Sequence, residues 1–144
     1  MISDNFDGLD DSRRPRYASA LLMDDDPFSL NVAQLILESL GVENIATASD
    51  GLAGVTAFDR MNAKPDLIIC DPFMPVMDGI EVVNELGDRN FAGGVILVTA
   101  GDLTIMQVAA MVAKSGNRLM LLGALSKPLT SAAIGNALGN ILEN

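Results

Sequence analysis

The sequence contains no histidine, no tryptophan and a single cysteine, Cys70. The lack of histidine excludes every catalytic scheme that depends on an imidazole, including the Ser-His-Asp triad. One cysteine cannot form a disulfide framework, and without histidine the usual zinc sites are also excluded. Cys70 lies in an apolar run and is interpreted as part of the core. No apolar run approaches the ~18 residues of a membrane span, so we expect a cytoplasmic protein without membrane contact.

Basic side chains are scarce, since 9 Lys and Arg stand against 19 Asp and Glu, which gives a net charge of −10. Such a surface repels nucleic acid, because binding to nucleic acid requires clustered basic residues. The 144 residues are 49% apolar, which is sufficient for one buried core. Residues 1–17 are polar and lack periodic apolar positions, so we divide the chain into a flexible N-terminal arm, 1–17, and one domain, 18–144.

Short apolar runs alternate with amphipathic segments along the rest of the chain. The predicted strands cover residues 20–23, 44–48, 66–70, 95–98 and 119–122. The predicted helices cover residues 27–40, 50–61, about 80–86, about 103–114 and 130–142. Parallel strands need crossover connections, so this alternation indicates an α/β fold, a five-stranded parallel sheet with helices on both faces.

Polar side chains follow four of the predicted strands, and ligands of open parallel sheets bind at this carboxyl end. Carboxylates gathered there repel one another, so protons or a cation must offset their charge. Oxygen ligands without histidine or thiolate select Mg²⁺ or a close relative such as Mn²⁺. The strand-end residues are Asp24, Asp25 and Asp26 after the first strand, Asp71 after the third, Thr99 and Ala100 after the fourth, and Ser126 and Lys127 after the fifth.

Lys127 and Thr99 make this end of the sheet suited to a phosphoryl group. An ammonium beside a metal ion favours an anionic ligand, and the Thr99 hydroxyl and the Ala100 N–H add donors. Asp71 is the candidate nucleophile. Each residue has a simpler explanation by itself: Asp26, before a proline, is typical of a helix N-cap, and a single strand-end Thr or Lys is commonly structural. Their joint placement favours a phosphoryl-binding site.

The order of these residues resembles the receiver domain of bacterial response regulators, the CheY-like family of two-component signalling, over about residues 18–142. The resemblance implies a flavodoxin-like, doubly wound (βα)5 fold and a signalling function in a phosphorelay rather than an enzyme. It rests on Leu21-Leu22-Met23-Asp24-Asp25-Asp26-Pro27, Asp66-Leu67-Ile68-Ile69-Cys70-Asp71, Met74-Pro75, Met77-Asp78-Gly79, Val98-Thr99-Ala100 and Ser126-Lys127-Pro128.

The resemblance also implies a phosphoacceptor and a metal site. Asp71 would accept a phosphoryl group from a sensor histidine kinase or a histidine phosphotransfer protein. Asp25, Asp71 and the backbone carbonyl of Phe73 would hold Mg²⁺, with Asp24 acting through a water molecule. The phosphoryl oxygens would be contacted by Lys127, Thr99 and Ala100, and the peptide bond between residues 127 and 128 is expected to be cis.

The sequence departs from the family pattern at three places. The family carries Tyr or Phe three residues before its lysine, where Ala124 stands here, so an aromatic switch cannot operate in its usual form. Pro72 removes a backbone N–H next to the acceptor. The stretch from Thr99 to Lys127 spans 28 positions, which is longer than usual. This length is similar to receivers attached to cyclic-di-GMP phosphodiesterases, so such a C-terminal output domain is a candidate partner.

Two other functions fit part of the pattern. A degenerate receiver would bind partners whether or not it is phosphorylated, and Ala124 and Pro72 favour this alternative. A phosphatase of the haloacid-dehalogenase type would use the Asp-x-Asp of residues 24–26, with Thr99 and Lys127 as later motifs. That family needs an acidic metal-binding motif after its lysine, and Glu143 is the only acid there.

The last predicted helix contains two glycines on one face, Gly135 and Gly139. Each costs up to about 1 kcal/mol relative to alanine. They are either tolerated in a helix anchored by apolar residues, or they let a second copy of the chain approach, as a homodimer through the face formed by residues 102–142.

Overall fold

The computed structural model of the protein describes residues 17–101, 104 and 118–142, and the statements below concern that part of the chain. No helix in these ranges is both long and apolar enough to cross a membrane. The predicted helix at 103–114 lies outside the described residues, apart from residue 104. The elements are β1 (Ser19–Met23), α1 (Pro27–Ser39), β2 (Asn44–Ala48), α2 (Gly51–Arg60), β3 (Leu67–Cys70), α3 (Gly79–Asp88), β4 (Gly94–Thr99), β5 (Met120–Ser126) and α4 (Ser131–Leu142).

All five strands form one parallel sheet in the order β2-β1-β3-β4-β5, which confirms the predicted doubly wound α/β fold. The chain moves outward from β1 to β2 and then returns to β3 on the other side of β1. The strand order therefore reverses between β1 and β3, which is where such sheets bind ligands. Asp24 and Asp71 follow these two strands directly, so the topology brings both residues to the switch point.

The three central strands are buried on both faces of the sheet. Successive side chains of a strand point to opposite faces, so each strand supplies both halves of the core. One half packs under α2 and α3 and includes Leu21, Ile68 and Leu97; the other packs under α1 and α4 and includes Leu22, Ile69 and Ile96. Tyr17, at the end of the predicted arm, is also buried in the second half.

Acidic residues cap the first three helices at the carboxyl end of the sheet. Asp26 Oδ1 accepts the N–H of Phe28 at 3.1 Å, and Asp50 Oδ1 accepts that of Ala53 at 2.7 Å. Asp78 caps α3 in a reciprocal capping box with Glu81. Such caps are worth about 1 kcal/mol each relative to alanine. The predicted capping roles of Asp26 and Asp50 are thus confirmed.

Strand β5 continues four residues beyond its predicted end at Leu122. Val95 pairs with Leu121 and Ile96 with Gly123, so Leu122 is the extra residue of a β-bulge. After the bulge, Ala124 pairs with Leu97 and residue 126 with residue 99. Because paired residues of parallel strands share a face, Ala124 lies on the same face of the sheet as Thr99.

The turn from β3 into α3 depends on a glycine. Gly79 donates its N–H to the carbonyl of Pro72 at 3.0 Å, and this bond brings the two backbones together. A Cβ atom at Gly79 would lie 2.5 Å from Pro72 Cα. Since the obstructing atom belongs to the backbone, it cannot move aside without displacing the residue after Asp71.

We predict that Gly79→Ala lowers the free energy of unfolding by about 1–3 kcal/mol, because the added methyl group overpacks this turn. The matched control is Gly135→Ala in α4, where no atom lies within 4 Å of a Cβ position. The control should gain about 0.5–1 kcal/mol from helix propensity. Urea denaturation measures both, and equal effects of the two substitutions would contradict the close approach at Gly79.

Candidate functional site

Three carboxylates meet at the switch point of the sheet. Asp24 donates its backbone N–H to Ala48 O at 3.1 Å, and Asp71 donates its own to Met23 O at 3.0 Å, so both continue the pairing of the strands. One carboxylate oxygen from each of Asp24, Asp25 and Asp71 lies within 4.8 Å of the other two. Asp24 and Asp71 are buried, whereas Asp25 is exposed. The predicted convergence of these carboxylates is therefore observed.

Lys127 places its ammonium between two of these carboxylates. Its Nζ atom lies 2.8 Å from Asp24 Oδ2 and 2.8 Å from Asp71 Oδ2. The Lys127 backbone donates to Thr99 O at 2.9 Å, which extends the pairing of β5 with β4 as far as the site. The peptide bond between Lys127 and Pro128 is cis, as expected from the sequence.

Burial and neighbouring opposite charges have opposing effects on the pKa values of Asp24 and Lys127. Burial raises the pKa of Asp24, and the negative charge of Asp71 raises it further, although hydrogen bonds from Lys127 and from the Asp26 backbone partly oppose the rise. Burial would lower the pKa of Lys127, but its bonds to the two carboxylates outweigh burial and raise that pKa. Lys127 therefore remains an ammonium at neutral pH.

Each buried carboxylate uses its second oxygen to accept a backbone N–H two residues further along the chain. Asp24 Oδ1 accepts the N–H of Asp26 at 2.9 Å, and Asp71 Oδ1 accepts that of Phe73 at 2.8 Å. The N–H that Pro72 lacks is therefore not the one that binds Asp71. These bonds fix both carboxylates with Oδ2 directed to the shared ammonium.

Thr99 and Ala100 lie at the same end of the sheet, but the Thr99 hydroxyl is engaged by the backbone. Thr99 is buried, and its Oγ1 accepts the N–H of Gly101 at 2.9 Å. The ring of Phe73 packs over Gly101, so closely that a Cβ atom added to Gly101 would lie 3.3 Å from Phe73 Cε2. Phe73 is thus linked to Asp71 through its N–H and to the Thr99 turn through its ring.

Two features of the site could not be found from sequence patterns. Val76 has φ 71°, and Met77 donates its N–H to Pro75 O at 2.8 Å, which defines a γ-turn in the loop after β3. This conformation is strained for a β-branched residue, so no propensity predicts it. An apolar crevice also opens beside Asp71, lined in part by Phe28, Pro128 and Leu129.

Comparison with known proteins identifies the family. A family model described as the response regulator receiver domain matches residues 20–138, so the chain belongs to that family. Membership of this family assigns the chain to signalling receiver domains rather than to phosphatases of the haloacid-dehalogenase type. The chain is 32% identical over 95 residues to the probable transcriptional regulatory protein TcrX of Mycobacterium tuberculosis, covering 66% of this chain and 39% of that protein. It therefore spans about two fifths of the length of this curated relative.

Solved structures agree with the fold. A response regulator receiver domain protein from Clostridium thermocellum is 26% identical, with a TM-score of 0.70 over 88% of this chain and 94% of that one. The receiver domain of the sensor histidine kinase PA1611 from Pseudomonas aeruginosa is 23% identical, with a TM-score of 0.69 over 88% of this chain and 98% of that one. Its structure contains a magnesium ion in the active-site cleft.

We predict that Lys127→Met destabilises the metal-free protein increasingly as the pH rises. The ammonium holds the pKa of Asp24 down, so the substitution raises this pKa further above its ordinary value of 3.8. A carboxyl whose folded pKa is raised lowers the stability of the protein as the pH rises from its unfolded pKa to its folded pKa, and the loss stays constant above the folded pKa. The expected extra loss between pH 4 and pH 7 is about 1–3 kcal/mol, measured by urea denaturation in a chelator.

The control for this substitution is Arg60→Met, which removes an exposed cation at the other end of the sheet. It should change the stability little and by a similar amount at both pH values. A loss in Lys127→Met that is the same at pH 4 as at pH 7 would contradict the coupling between Lys127 and Asp24.

Proposed function

We propose that Asp71 accepts a phosphoryl group from the phosphohistidine of a sensor histidine kinase or a histidine phosphotransfer protein, and that Mg²⁺ is the cofactor. The shared ammonium is the observation that supports this most strongly, with Lys127 Nζ at 2.8 Å from both Asp24 and Asp71. It lowers the negative charge that an incoming phosphoryl group meets. The receiver domain is taken as residues 18–144.

In the proposed transfer, a carboxylate oxygen of Asp71 forms a bond to phosphorus while the N–P bond of the donor breaks. The imidazole leaves with the electron pair of that bond and remains on the donor protein. Lys127, the Thr99 hydroxyl and the Ala100 N–H then contact the phosphoryl oxygens, which requires the Thr99 hydroxyl to turn from its present environment. In this proposal, the domain promotes its own phosphorylation and dephosphorylation and acts on no other substrate.

The donor set fits magnesium. Three carboxylates within 4.8 Å offer only oxygen ligands, which Mg²⁺ and Mn²⁺ prefer over nitrogen or sulfur sites. Asp25, Asp71 and the Phe73 carbonyl would bind the ion directly, and Asp24 would act through a water molecule. A bound ion supplies positive charge beside the phosphoryl oxygens. The related PA1611 receiver holds magnesium in its cleft, which is consistent with this assignment.

The apolar crevice beside Asp71 supports a protein as the phosphodonor. Phe28, at the start of α1, is 71% exposed and lines the crevice together with Pro128 and Leu129. A helix that carries a phosphohistidine could bury apolar side chains against these residues while its imidazole approaches Asp71. A free small phosphate compound would gain nothing from the same surface.

Ala124 favours a second candidate, a receiver that binds partners in both phosphorylation states. It lies on the same sheet face as Thr99 and carries only a methyl group, so it cannot report a movement of the hydroxyl as an aromatic ring would. The site residues for phosphoryl transfer are nevertheless complete. A homodimer through residues 102–142 and a cyclic-di-GMP phosphodiesterase output domain remain candidate partners in either case.

We predict that Asp71→Asn abolishes phosphorylation by a small-molecule donor and abolishes the response to beryllofluoride with Mg²⁺, because the nucleophilic oxygen is lost. Labelled phosphate incorporation and amide NMR shifts measure the two effects. Asp88→Asn, an exposed acid at the end of α3, is the control and should behave as the wild type. An Asp71→Asn protein that still incorporates phosphate would refute Asp71 as the acceptor.

We also predict that Phe73→Asn shortens the lifetime of the phosphorylated state by about twofold to tenfold, because the half-exposed ring shields the acyl phosphate from water. Loss of label after the donor is removed measures this lifetime. Phe28→Asn is the matched control, since it removes an exposed aromatic ring on the α1 side of the site. Equal lifetimes in Phe73→Asn and in the wild type would contradict the shielding.

A further inference from the structure

Pro72 directly follows the proposed phosphoacceptor, and a proline nitrogen within a chain carries no hydrogen atom. Asp24, at the end of the neighbouring strand, forms the same kind of turn as Asp71, since Oδ1 of each accepts the N–H of the residue two positions later. The residue after Asp24 is Asp25, whose backbone nitrogen does carry a hydrogen. Of these two turns, the one at the proposed acceptor is therefore the one that contains a proline.

The turn after β3 restrains the Asp71 carboxyl group relative to the peptide bond that follows it. The hydrogen bond from the Phe73 N–H to Asp71 Oδ1, at 2.8 Å, closes a ring of atoms that contains both Asp71 Cγ and the nitrogen of residue 72. The carbonyl of Pro72 accepts the Gly79 N–H at 3.0 Å, which ties the same residue to the start of α3. The Asp71 carboxyl carbon and the nitrogen of residue 72 are therefore parts of one fixed turn.

A phosphorylated Asp71 is an acyl phosphate, which can lose its phosphate in two ways. Water can hydrolyse it and restore the aspartate. Alternatively, the backbone nitrogen of the next residue can form a bond to Cγ, while the bond from Cγ to the phosphate oxygen breaks, inorganic phosphate leaves and the nitrogen releases its proton to solvent. The product of this second route is a five-membered succinimide, which lacks one water molecule relative to the unmodified chain and has no carboxylate left to accept a phosphoryl group.

The exclusion of water from the site does not protect against the second route. Asp71 is only 7% exposed, and the ring of Phe73 lies beside it, so attack by water is restricted. A nitrogen in the same turn is not excluded in this way, and well-oriented groups of one molecule react as if their concentration were ~10⁵ M or more. A site that keeps water out therefore favours cyclisation over hydrolysis, unless the nitrogen has no proton to release.

We propose that Pro72 closes the cyclisation route, so that Asp71 can be phosphorylated repeatedly without loss of the acceptor. This inference rests on the proposed phosphorylation of Asp71. The nitrogen of a proline within a chain is bonded to three carbon atoms and has no proton to release, so a neutral succinimide cannot form. The phosphoryl group is then lost only by hydrolysis or by transfer to another acceptor. The departure from the family pattern at Pro72 thus determines the fate of the acyl phosphate.

The experiment restores the N–H at position 72. Pro72→Ala and Pro72→Gly are compared with the wild type and with Pro75→Ala, a control that removes a proline from the same loop but keeps the carbonyl that the Met77 N–H binds. Each protein passes through repeated rounds of phosphorylation with labelled acetyl phosphate and Mg²⁺. Intact mass and peptide mapping then measure the loss of water at Asp71. At equal phosphate turnover, Pro72→Ala should contain at least about fivefold more of this product than the wild type.

Pro72→Gly should form still more of the product, because no side chain hinders the nitrogen, and Pro75→Ala should match the wild type. Phosphate incorporation without water loss in both Pro72 variants would overturn the proposal and leave the phosphorylation of Asp71 intact. Water loss at Asp71 in the phosphorylated wild type would also overturn it, whether or not any variant folds. The same amount of product in Pro72→Ala without acetyl phosphate would overturn the link to phosphorylation. A wild type that incorporates no phosphate refutes the proposed function itself, and this inference with it.

Discussion

One ammonium held between two buried carboxylates is the interaction on which the rest of the structure depends. Strands β1 and β3 are neighbours at the switch point, so the residues that follow them, Asp24 and Asp71, are forced together. Two carboxylates in that position repel each other unless a cation lies between them. Lys127 reaches this position because β5 continues as far as Ser126 in register with β4. The strand order brings two mutually repelling carboxylates together, and the residue that follows the last strand, Lys127, supplies the cation that offsets their charge.

The loops after β1 and β3 orient their carboxylates in the same way. In each loop, Oδ1 of the aspartate accepts the N–H of the residue two positions later, which is the geometry of an Asx-turn. Oδ2 is then left for the shared ammonium. This pattern explains why Pro72 is tolerated directly after Asp71, since the hydrogen bond skips one residue and comes from Phe73. The departure from the family pattern at Pro72 therefore leaves Asp71 oriented toward Lys127.

Most of the strands and helices, and the residues that meet at the site, can be predicted from the sequence, because both depend on short apolar runs and on the polar residues that end them. Buried runs ending in aspartate predict strands and also which carboxylates must converge. The extent of β5 does not follow in this way: Gly123 and Ala124 are weak strand formers, and only pairing with β4 makes them a strand. The γ-turn at Val76 is equally hidden, since tertiary contacts impose a conformation that valine disfavours. The contact of Lys127 with both Asp24 and Asp71 is likewise visible only in the three-dimensional structure.

The two candidate functions differ in what happens after Asp71 is modified, and the described contacts narrow that question. The proposed phosphoryl transfer requires the Thr99 hydroxyl, which now accepts the Gly101 N–H, to turn toward the phosphoryl oxygens, and Phe73 donates its N–H to Asp71. The loop that carries Phe73 and the turn after Thr99 meet at one contact, where the ring of Phe73 packs over Gly101. The methyl group of Ala124 is too small to change position in response to a movement of the Thr99 hydroxyl. Within the described part of the chain, we therefore expect a structural response to phosphorylation to alter this contact, whereas a receiver that binds partners in both states would leave the contact unchanged.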